Sequence, residues 1–217
     1  MYQENLFQEL IELHKRIEPE IRQRLEEFKK IAERKNSFEI FKELVFCLMT
    51  PQSKSLHASI TLEKLEKKDL LLKGSAQEIA KELNLVRFKN NKGRYIEMAR
   101  EFFLIQKKEN ILDFTDQSQN VKDLRERLVK TVKGIGYKEA GHFLRNIGRG
   151  QELAILDRHI LKNLVSYGVI REIPVSLSRQ KYLEIEKDMV KFSHRIFIPM
   201  DALDFLLWYK ETGQILK

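Results

Sequence analysis

The chain has 217 residues, enough for a substantial hydrophobic core in one large domain or two small ones. Its 40 Lys and Arg against 32 Asp and Glu give a formal net charge of +8, which favours a nucleic-acid partner, although many basic proteins have none. Cys47 is the single cysteine, so an intrachain disulfide and a multi-cysteine metal site are excluded, and it is expected to be a small buried apolar residue.

The first half of the chain shows apolar residues at helical spacing. Two such sets cover 6–17 and 21–31, and Pro19 between them is predicted to start a second helix. Asn36 followed by Glu39 predicts a capping box that opens a helix ending at about residue 49. Thr50 and Pro51 then predict the N-cap and the first residue of a further helix.

The predicted helices continue to the C-terminus. Ser75 with Glu78 predicts a capped helix to about residue 85, another follows Gly93, and another covers 124–132. After Gly150, helices are predicted at 158–167, 179–193 and 199–211. Alternating strand patterns are scarce, so the predicted class is all-α. The segment 148–151 is either a crossing between two helical subdomains or a structured loop.

The segment 132–141 predicts a helical hairpin with a Gly-Ile-Gly turn. Gly134 and Gly136 allow a close backbone approach, and the first amides of the following helix can bind a phosphate oxygen. Lys133 adds positive charge beside the turn, and such a contact carries no sequence information. An ordinary helix–helix turn with a glycine cap is the alternative.

Lys138 stands two residues beyond Gly136, and Asp157 follows nineteen residues later in the segment Ile155-Leu156-Asp157-Arg158-His159-Ile160. This arrangement resembles the helix-hairpin-helix, Gly/Pro-rich loop and aspartate (HhH-GPD) superfamily of DNA glycosylases. The segments 48–54, 87–96 and 206–210 extend the resemblance, which is greatest to the short 8-oxoguanine DNA glycosylase/AP lyases of archaea and some thermophilic bacteria. The Gly/Pro-rich loop is weak here, and the four-cysteine iron–sulfur loop of other branches cannot be built.

The resemblance implies a domain arrangement and a place of action. Residues 1–35 with 150–217 would form one helical subdomain, and 36–149 a barrel subdomain ending in the hairpin at about 125–147, with a cleft between the two. The implied partner is damaged double-stranded DNA, bound by a monomer in the cytoplasm of a prokaryote, at the nucleoid. No cofactor is expected, apart from a monovalent cation that related hairpins can hold.

The resemblance also implies the catalytic chemistry. Lys138 would be the nucleophile that displaces the base, forms a Schiff base and cuts the strand by β-elimination. A lysine must be neutral to attack, and because a free lysine has a pKa of about 10.4, burial and a helix N-terminus would have to disfavour its ammonium. Asp157 would stabilise the positive charge that develops on the sugar, and it is also a good N-cap for the next helix.

Base excision requires a flipped nucleotide and a pocket that reads it. The resemblance implies that Phe88 and Trp208 stack on the base and that Lys217 lies near it. A core position is the alternative for the two aromatic residues, and a frayed terminus for Lys217. Gln52, Ser53 and Lys54 are candidates to fill the gap left in the duplex or to contact the opposite base. They could equally be the exposed first turn of a helix.

Three other functions remain open from the residues. A bifunctional glycosylase for another lesion, such as an oxidised pyrimidine, would use the same two catalytic residues. A helix-hairpin-helix module that only binds DNA would need neither Lys138 nor Asp157. An RNA-binding protein is disfavoured because no RNP-type or KH-type motif occurs. The five histidines lack metal-ligand spacing, and no signal peptide or membrane-length apolar run is visible, so we expect a soluble, intracellular protein without a metal site.

Overall fold

The computed structural model describes residues 2–106 and 108–215. Its helices are, in chain order, α1 (Tyr2–Glu33), α2 (Ser37–Met49), α3 (Ser55–Lys67), α4 (Leu70–Lys73), α5 (Ala76–Glu82), α6 (Lys89–Arg100), α7 (Ile111–Phe114), α8 (Val121–Thr131), α9 (Tyr137–Asn146), α10 (Arg158–Ser166), α11 (Arg179–Ile196) and α12 (Met200–Thr212). One π-helical turn, Glu101–Ile105, extends α6. No strand occurs in the described ranges, and the all-α class is confirmed.

Two predicted helix starts are present with their caps. The Asn36 side chain accepts hydrogen bonds from the amides of Phe38 and Glu39, at 2.9 and 3.2 Å. The reciprocal half of that capping box is missing, since the Glu39 carboxylate pairs with Arg34 instead. At α5 both halves of the Ser75–Glu78 box form. Local side-chain chemistry therefore sets both boundaries.

Pro19 does not start a second helix. It lies inside α1, which runs without a break for 32 residues. A proline in a helix interior removes one hydrogen bond and crowds the preceding turn. The apolar stripe on both sides of it is buried, including Leu10, Ile17, Ile21 and Phe28, so packing along one continuous face outweighs that local cost.

Thr50 and Pro51 do not begin a helix either. Thr50 ends α2, because its hydroxyl donates to the Cys47 carbonyl at 2.9 Å and satisfies one of the last carbonyls of that helix. Gln52 then adopts a left-handed backbone conformation with φ of 53°, which interrupts helical geometry. The next helix, α3, starts only at Ser55.

The buried side chains form two clusters. The first joins α2 to α9 and ends at Leu153, and it includes Cys47, which is fully buried as expected. The second cluster joins α1 with α10, α11 and α12. Its members come from two parts of the chain, of which the second begins at Ala154. These clusters support the predicted division into two subdomains, which stays a prediction.

Buried ion pairs join the two clusters. Arg125 of α8 contacts Glu186 of α11 through both of its terminal nitrogens, and Arg145 of α9 pairs with Asp204 of α12. All four side chains are almost fully buried. The pairs fix α8 and α9, which flank the hairpin, against the helices of the second cluster. No helix in the described part of the chain is long and apolar enough to cross a membrane.

Candidate active site

Lys138 is the second residue of α9, directly after the hairpin turn. Its side chain is 27% exposed, and its Nζ lies 3.3 Å from the carboxylate of Glu139. The first turn of α9 receives no side-chain cap, because the residue at its N-cap is Gly136. Lys138 therefore stands at the positive end of a helix, partly withdrawn from solvent and in contact with one carboxylate.

Asp157 is the N-cap of α10, as predicted. One carboxylate oxygen accepts from the Ile160 amide at 2.8 Å, and the other accepts from the indole N–H of Trp208 at 2.9 Å. Both oxygens are thus held by donors from different helices, α10 and α12. The carboxylate keeps one orientation, which is the preorganisation that electrostatic stabilisation of a positive centre needs.

Lys138 and Asp157 line one pocket of 610 Å³, at the junction of the two clusters. This size lies within the range of about 300–1,000 Å³ typical of small-molecule sites. The pocket wall is formed by the turn between α2 and α3 and by α9, α10 and α12; the lining includes Thr50, Gln52, Ser53, Lys54, Lys138, His142, Arg145, Asp157, His159, Asp204, Phe205, Trp208 and Gln214. The structure therefore brings together six of the predicted site residues from four separate segments.

Asp204 gives the pocket a carboxyl group whose pKa is higher than that of an ordinary aspartate. Burial and the nearby negative charge of Asp157 raise its pKa to about 6, although the positive charge of Arg145 opposes the rise. The Arg145 guanidinium also lies 4.3 Å from the centre of the Phe205 ring. Behind the Lys138–Asp157 pair, the pocket wall is therefore a buried and tightly packed charged cluster.

The hairpin turn is held against α6. Gly134 has φ of 92°, and a Cβ at this position would lie 2.3 Å from the ring of Tyr95, so only glycine fits both the backbone and the space. Gly134 and Lys133 are exposed, whereas Ile135 between the glycines is buried in the first cluster. The turn is anchored by Ile135 and presents its glycine backbone and Lys133 to solvent.

The turn between α2 and α3 brings Gln52, Ser53 and Lys54 to the pocket. Gln52 and Lys54 are exposed, and the Ser53 hydroxyl accepts hydrogen bonds from the Arg87 amide and from Lys92, each at 3.0 Å. These three residues belong to a turn and an N-cap, not to the first turn of a helix.

Two predicted pocket residues are not placed there. Phe88 does not line the pocket: its backbone is left-handed at the start of α6, its side chain is 51% exposed, and its ring packs beside the Arg87 guanidinium at 5.4 Å. Lys217 lies outside the described residues. Trp208 does line the pocket, but it also has a second role as hydrogen-bond donor to Asp157 that stacking alone did not predict.

Sequence reasoning missed Arg145, His142 and Asp204. The signal for Asp204 is its spacing of four residues from Trp208, which places both on one face of a helix. His142 stands four residues after Lys138 on α9 in the same way. Arg145 carries no comparable signal. Within the described ranges no group of three or more potential ligands could hold a metal ion.

The chain is similar to known proteins in sequence and in fold. The family model of the 8-oxoguanine DNA glycosylases matches residues 21–198. An 8-oxoguanine DNA glycosylase/AP lyase of Fusobacterium nucleatum is 45% identical over the full length of both chains. The crystal structure of the Methanocaldococcus jannaschii 8-oxoguanine DNA glycosylase superposes with a TM-score of 0.88 at 38% identity, covering 100% of this chain and 98% of that one. The complex of that glycosylase with a 15mer DNA containing 8-oxoguanine gives a TM-score of 0.88, covering 98% of this chain and 99% of that one.

Proposed function

Because the chain belongs to the 8-oxoguanine DNA glycosylase family, we propose that it removes 8-oxoguanine from duplex DNA and then cuts the strand as an AP lyase. The observation that carries the catalytic assignment is the shared pocket of Lys138 and Asp157, in which Trp208 holds the carboxylate. A module that only binds DNA would need neither a recessed lysine nor a carboxylate fixed at both oxygens.

The damaged nucleotide must leave the base stack to reach this pocket. Trp208 offers an aromatic face on the pocket wall, and Asp204 supplies a carboxylate acceptor. An acceptor matters because 8-oxoguanine carries a hydrogen on N7, where guanine has a lone pair. The assignment of Trp208 to the base pocket is therefore retained, with Asp204 added to it, and Lys217 stays a prediction.

The reaction follows from an amine placed beside the sugar. The neutral Lys138 amine attacks C1′, a C–N bond forms, and the glycosidic bond breaks with its electrons leaving on the base, which takes up a proton. Opening of the sugar ring gives the Schiff base. Loss of a C2′ proton then breaks the bond between C3′ and its phosphate oxygen, which cuts the strand on the 3′ side.

Asp157 would act through its charge at the first step. Positive charge develops at C1′ as the base departs, and a fixed carboxylate in a partly desolvated pocket stabilises it. Its hydrogen bonds to the Ile160 amide and Trp208 keep it from rotating toward solvent. Glu139 contacts the Lys138 ammonium and is a nearby acceptor for its proton.

DNA contacts are assigned to two turns. The backbone of the exposed Gly134 and the half-buried Gly136, with Lys133 beside it, would hold a phosphate of the damaged strand. Gln52, Ser53 and Lys54 lie at the pocket edge, where they would meet the duplex at the gap left by the flipped nucleotide. A monovalent cation at the hairpin, and action as a monomer on nucleoid DNA in a prokaryotic cytoplasm, complete the proposal; the relatives are bacterial and archaeal proteins.

The proposal is tested with three labelled duplexes that carry 8-oxoguanine opposite cytosine, undamaged guanine, or an oxidised pyrimidine. Each is incubated with the protein, with and without borohydride. We expect a nicked product and a trapped covalent complex with the 8-oxoguanine duplex. The Lys133→Gln variant should weaken DNA binding but cut normally at saturating protein, because this lysine lies outside the pocket.

Other outcomes separate the alternatives. Cleavage confined to the oxidised pyrimidine would reassign the lesion while keeping the chemistry. Tight binding to all three duplexes without any cleavage or trapping would make the protein a DNA-binding module and overturn the proposal.

A further inference from the structure

We infer that Lys92 is a positioning residue for the excision reaction, because its buried ammonium clamps the turn that presents Gln52 to the pocket; this inference rests on the proposed function. Lys92 lies in α6 and is only 3% exposed. Its ammonium donates three hydrogen bonds, to the Met49 carbonyl at 2.7 Å, the Pro51 carbonyl at 2.8 Å and the Ser53 hydroxyl at 3.0 Å. All three N–H groups of the ammonium are thus used on one turn.

The acceptors of Lys92 lie on both sides of Gln52. Gln52 has φ of 53°, a left-handed conformation that is unfavourable for a residue with a side chain and persists only where the surroundings impose it. Pro51 precedes Gln52 and Ser53 follows it, and the Arg87 amide binds the same Ser53 hydroxyl. Lys92 and Arg87 therefore hold both ends of the strained residue from the side of α6.

The buried position of the Lys92 ammonium is energetically unfavourable, because a charged group is removed from water. Burial, together with the positive charges of Lys138 and Arg87, lowers the pKa of Lys92 to about 8, while the negative charge of Glu139 opposes the shift. Lys92 forms no ion pair with any carboxylate within residues 2–106 and 108–215; its partners are carbonyl and hydroxyl oxygens. A buried cation without a carboxylate partner is uncommon, and such groups are enriched at functional sites.

The clamp has a functional consequence because Gln52 lines the same pocket as Lys138 and Asp157. A turn that relaxed to ordinary backbone angles would swing the Gln52 side chain away from the place where the flipped nucleotide leaves its gap. Errors of about 1 Å in the placement of a contact can cost on the order of 100-fold in rate. Lys92 would therefore affect the reaction through Gln52 without contacting the substrate.

A double-mutant cycle tests this directly. Lys92→Met keeps the length of the side chain and removes the donor, and Gln52→Ala removes the side chain that is positioned. Single-turnover cleavage of the 8-oxoguanine duplex is measured over a range of protein concentrations. We expect each single variant to lower the maximal rate by ~10-fold or more, with the half-saturating concentration changed much less. The double variant should fall no more than about twofold below the slower single variant.

Matched controls keep the result interpretable. Lys89→Met removes an exposed lysine from the same helix and should leave the rate unchanged. If Lys92→Met does not fold, Ser53→Ala removes one acceptor of the clamp, and its smaller effect should likewise disappear in a Gln52→Ala background. Thermal unfolding of every variant identifies those that fold.

Two results would overturn the inference. Effects of Lys92→Met and Gln52→Ala that multiply would show that Lys92 does not act through Gln52. A normal rate for folded Lys92→Met would show that the clamp is dispensable. Both results require an active wild-type protein, so they are distinct from a failure of the proposed function, in which the wild-type protein itself does not cut.

Discussion

The Asp157 side chain combines a structural and a proposed chemical role in one carboxylate. It caps α10 through the Ile160 amide and receives the Trp208 indole on its other oxygen. The two roles can be separated because asparagine is as good an N-cap as aspartate but carries no charge.

We predict that Asp157→Asn lowers the single-turnover excision rate by about 100-fold to 1,000-fold, since it removes a preorganised charge from the transition state. The free energy of unfolding should fall by only about 1 kcal/mol, because the cap is kept and only the hydrogen bond from the Trp208 indole is lost. Excision assays and urea unfolding check the two halves of this prediction. Ser178→Ala, which removes the N-cap of α11 outside the pocket lining, is the converse control: it should cost about 1 kcal/mol and leave the rate unchanged. Full activity in Asp157→Asn would contradict the assigned role.

The residues near this carboxylate differ in how far the sequence predicts them. Lys138 and Asp157 stand in contiguous motifs that resemble a family, so both could be predicted from the chain alone, and both line one pocket. Arg145 and Lys92 could not, because the roles proposed for them depend on contacts with residues 59 and up to 43 positions away. Phe88 was predicted from the resemblance alone, and its role stays a prediction; the left-handed backbone that turns it away from the pocket lining is a feature that no local pattern indicates.

At the scale of elements, caps and close approaches determine what can be predicted. The longer helices with a side-chain cap, such as α2 and α5, were predicted to within a few residues. The single-turn helices α4 and α7 were not, since four residues are too few to show a period. The helix starts predicted at Pro19 and at Thr50 are wrong. At Pro19 burial along α1 outweighs local propensity, and after Thr50 the left-handed Gln52 interrupts the helix.

The hairpin turn gives a prediction at the same scale. Gly134→Ala places a methyl group 2.3 Å from the Tyr95 ring at a left-handed position. Gly213→Ala is a matched control, because Gly213 is also left-handed with φ of 69° but has no atom within 4 Å of an added Cβ. We expect Gly134→Ala to cost at least about 1 kcal/mol more in the free energy of unfolding than the control.

Gly134→Ala should also raise the Kd for undamaged duplex about tenfold, because the phosphate-binding turn has to shift. Gly213→Ala should leave that Kd unchanged. Urea unfolding and fluorescence anisotropy measure the two effects. Equal affinity of both variants would remove the hairpin from the DNA contact.

At the scale of the whole molecule, two buried clusters meet at charged pairs and enclose the pocket between them. The class and most helices follow from hydrophobic periodicity. The pairing of Arg125 with Glu186 and of Arg145 with Asp204 does not, because charged residues in a sequence of 33% charged residues give no sign of which are buried. The Arg145–Asp204 pair lines the pocket, so the shape of the pocket could not be predicted from the sequence.

The Arg145–Asp204 pair between the two clusters predicts that the free energy of unfolding depends on pH. Burial raises the pKa of Asp204 to about 6, above the value of an unfolded aspartate, so the folded state binds more protons between about pH 4 and 6. The contribution of Asp204 to the free energy of unfolding must therefore fall as the pH rises through that window. Urea unfolding of wild type and Asp204→Asn should show a difference that changes with pH in this direction. A difference independent of pH would contradict it, and Asp188→Asn, an exposed carboxylate, is the control.

The most direct test of the whole account is to locate the covalent bond to DNA. The complex formed with the 8-oxoguanine duplex is reduced with borohydride and digested, and the modified peptide is identified by mass spectrometry. The account predicts that the sugar remnant lies on Lys138 and that Lys138→Gln gives no trapped complex, while Lys133→Gln still traps at saturating DNA. An adduct on Lys54 or Lys92, or trapping that persists in Lys138→Gln, would contradict it.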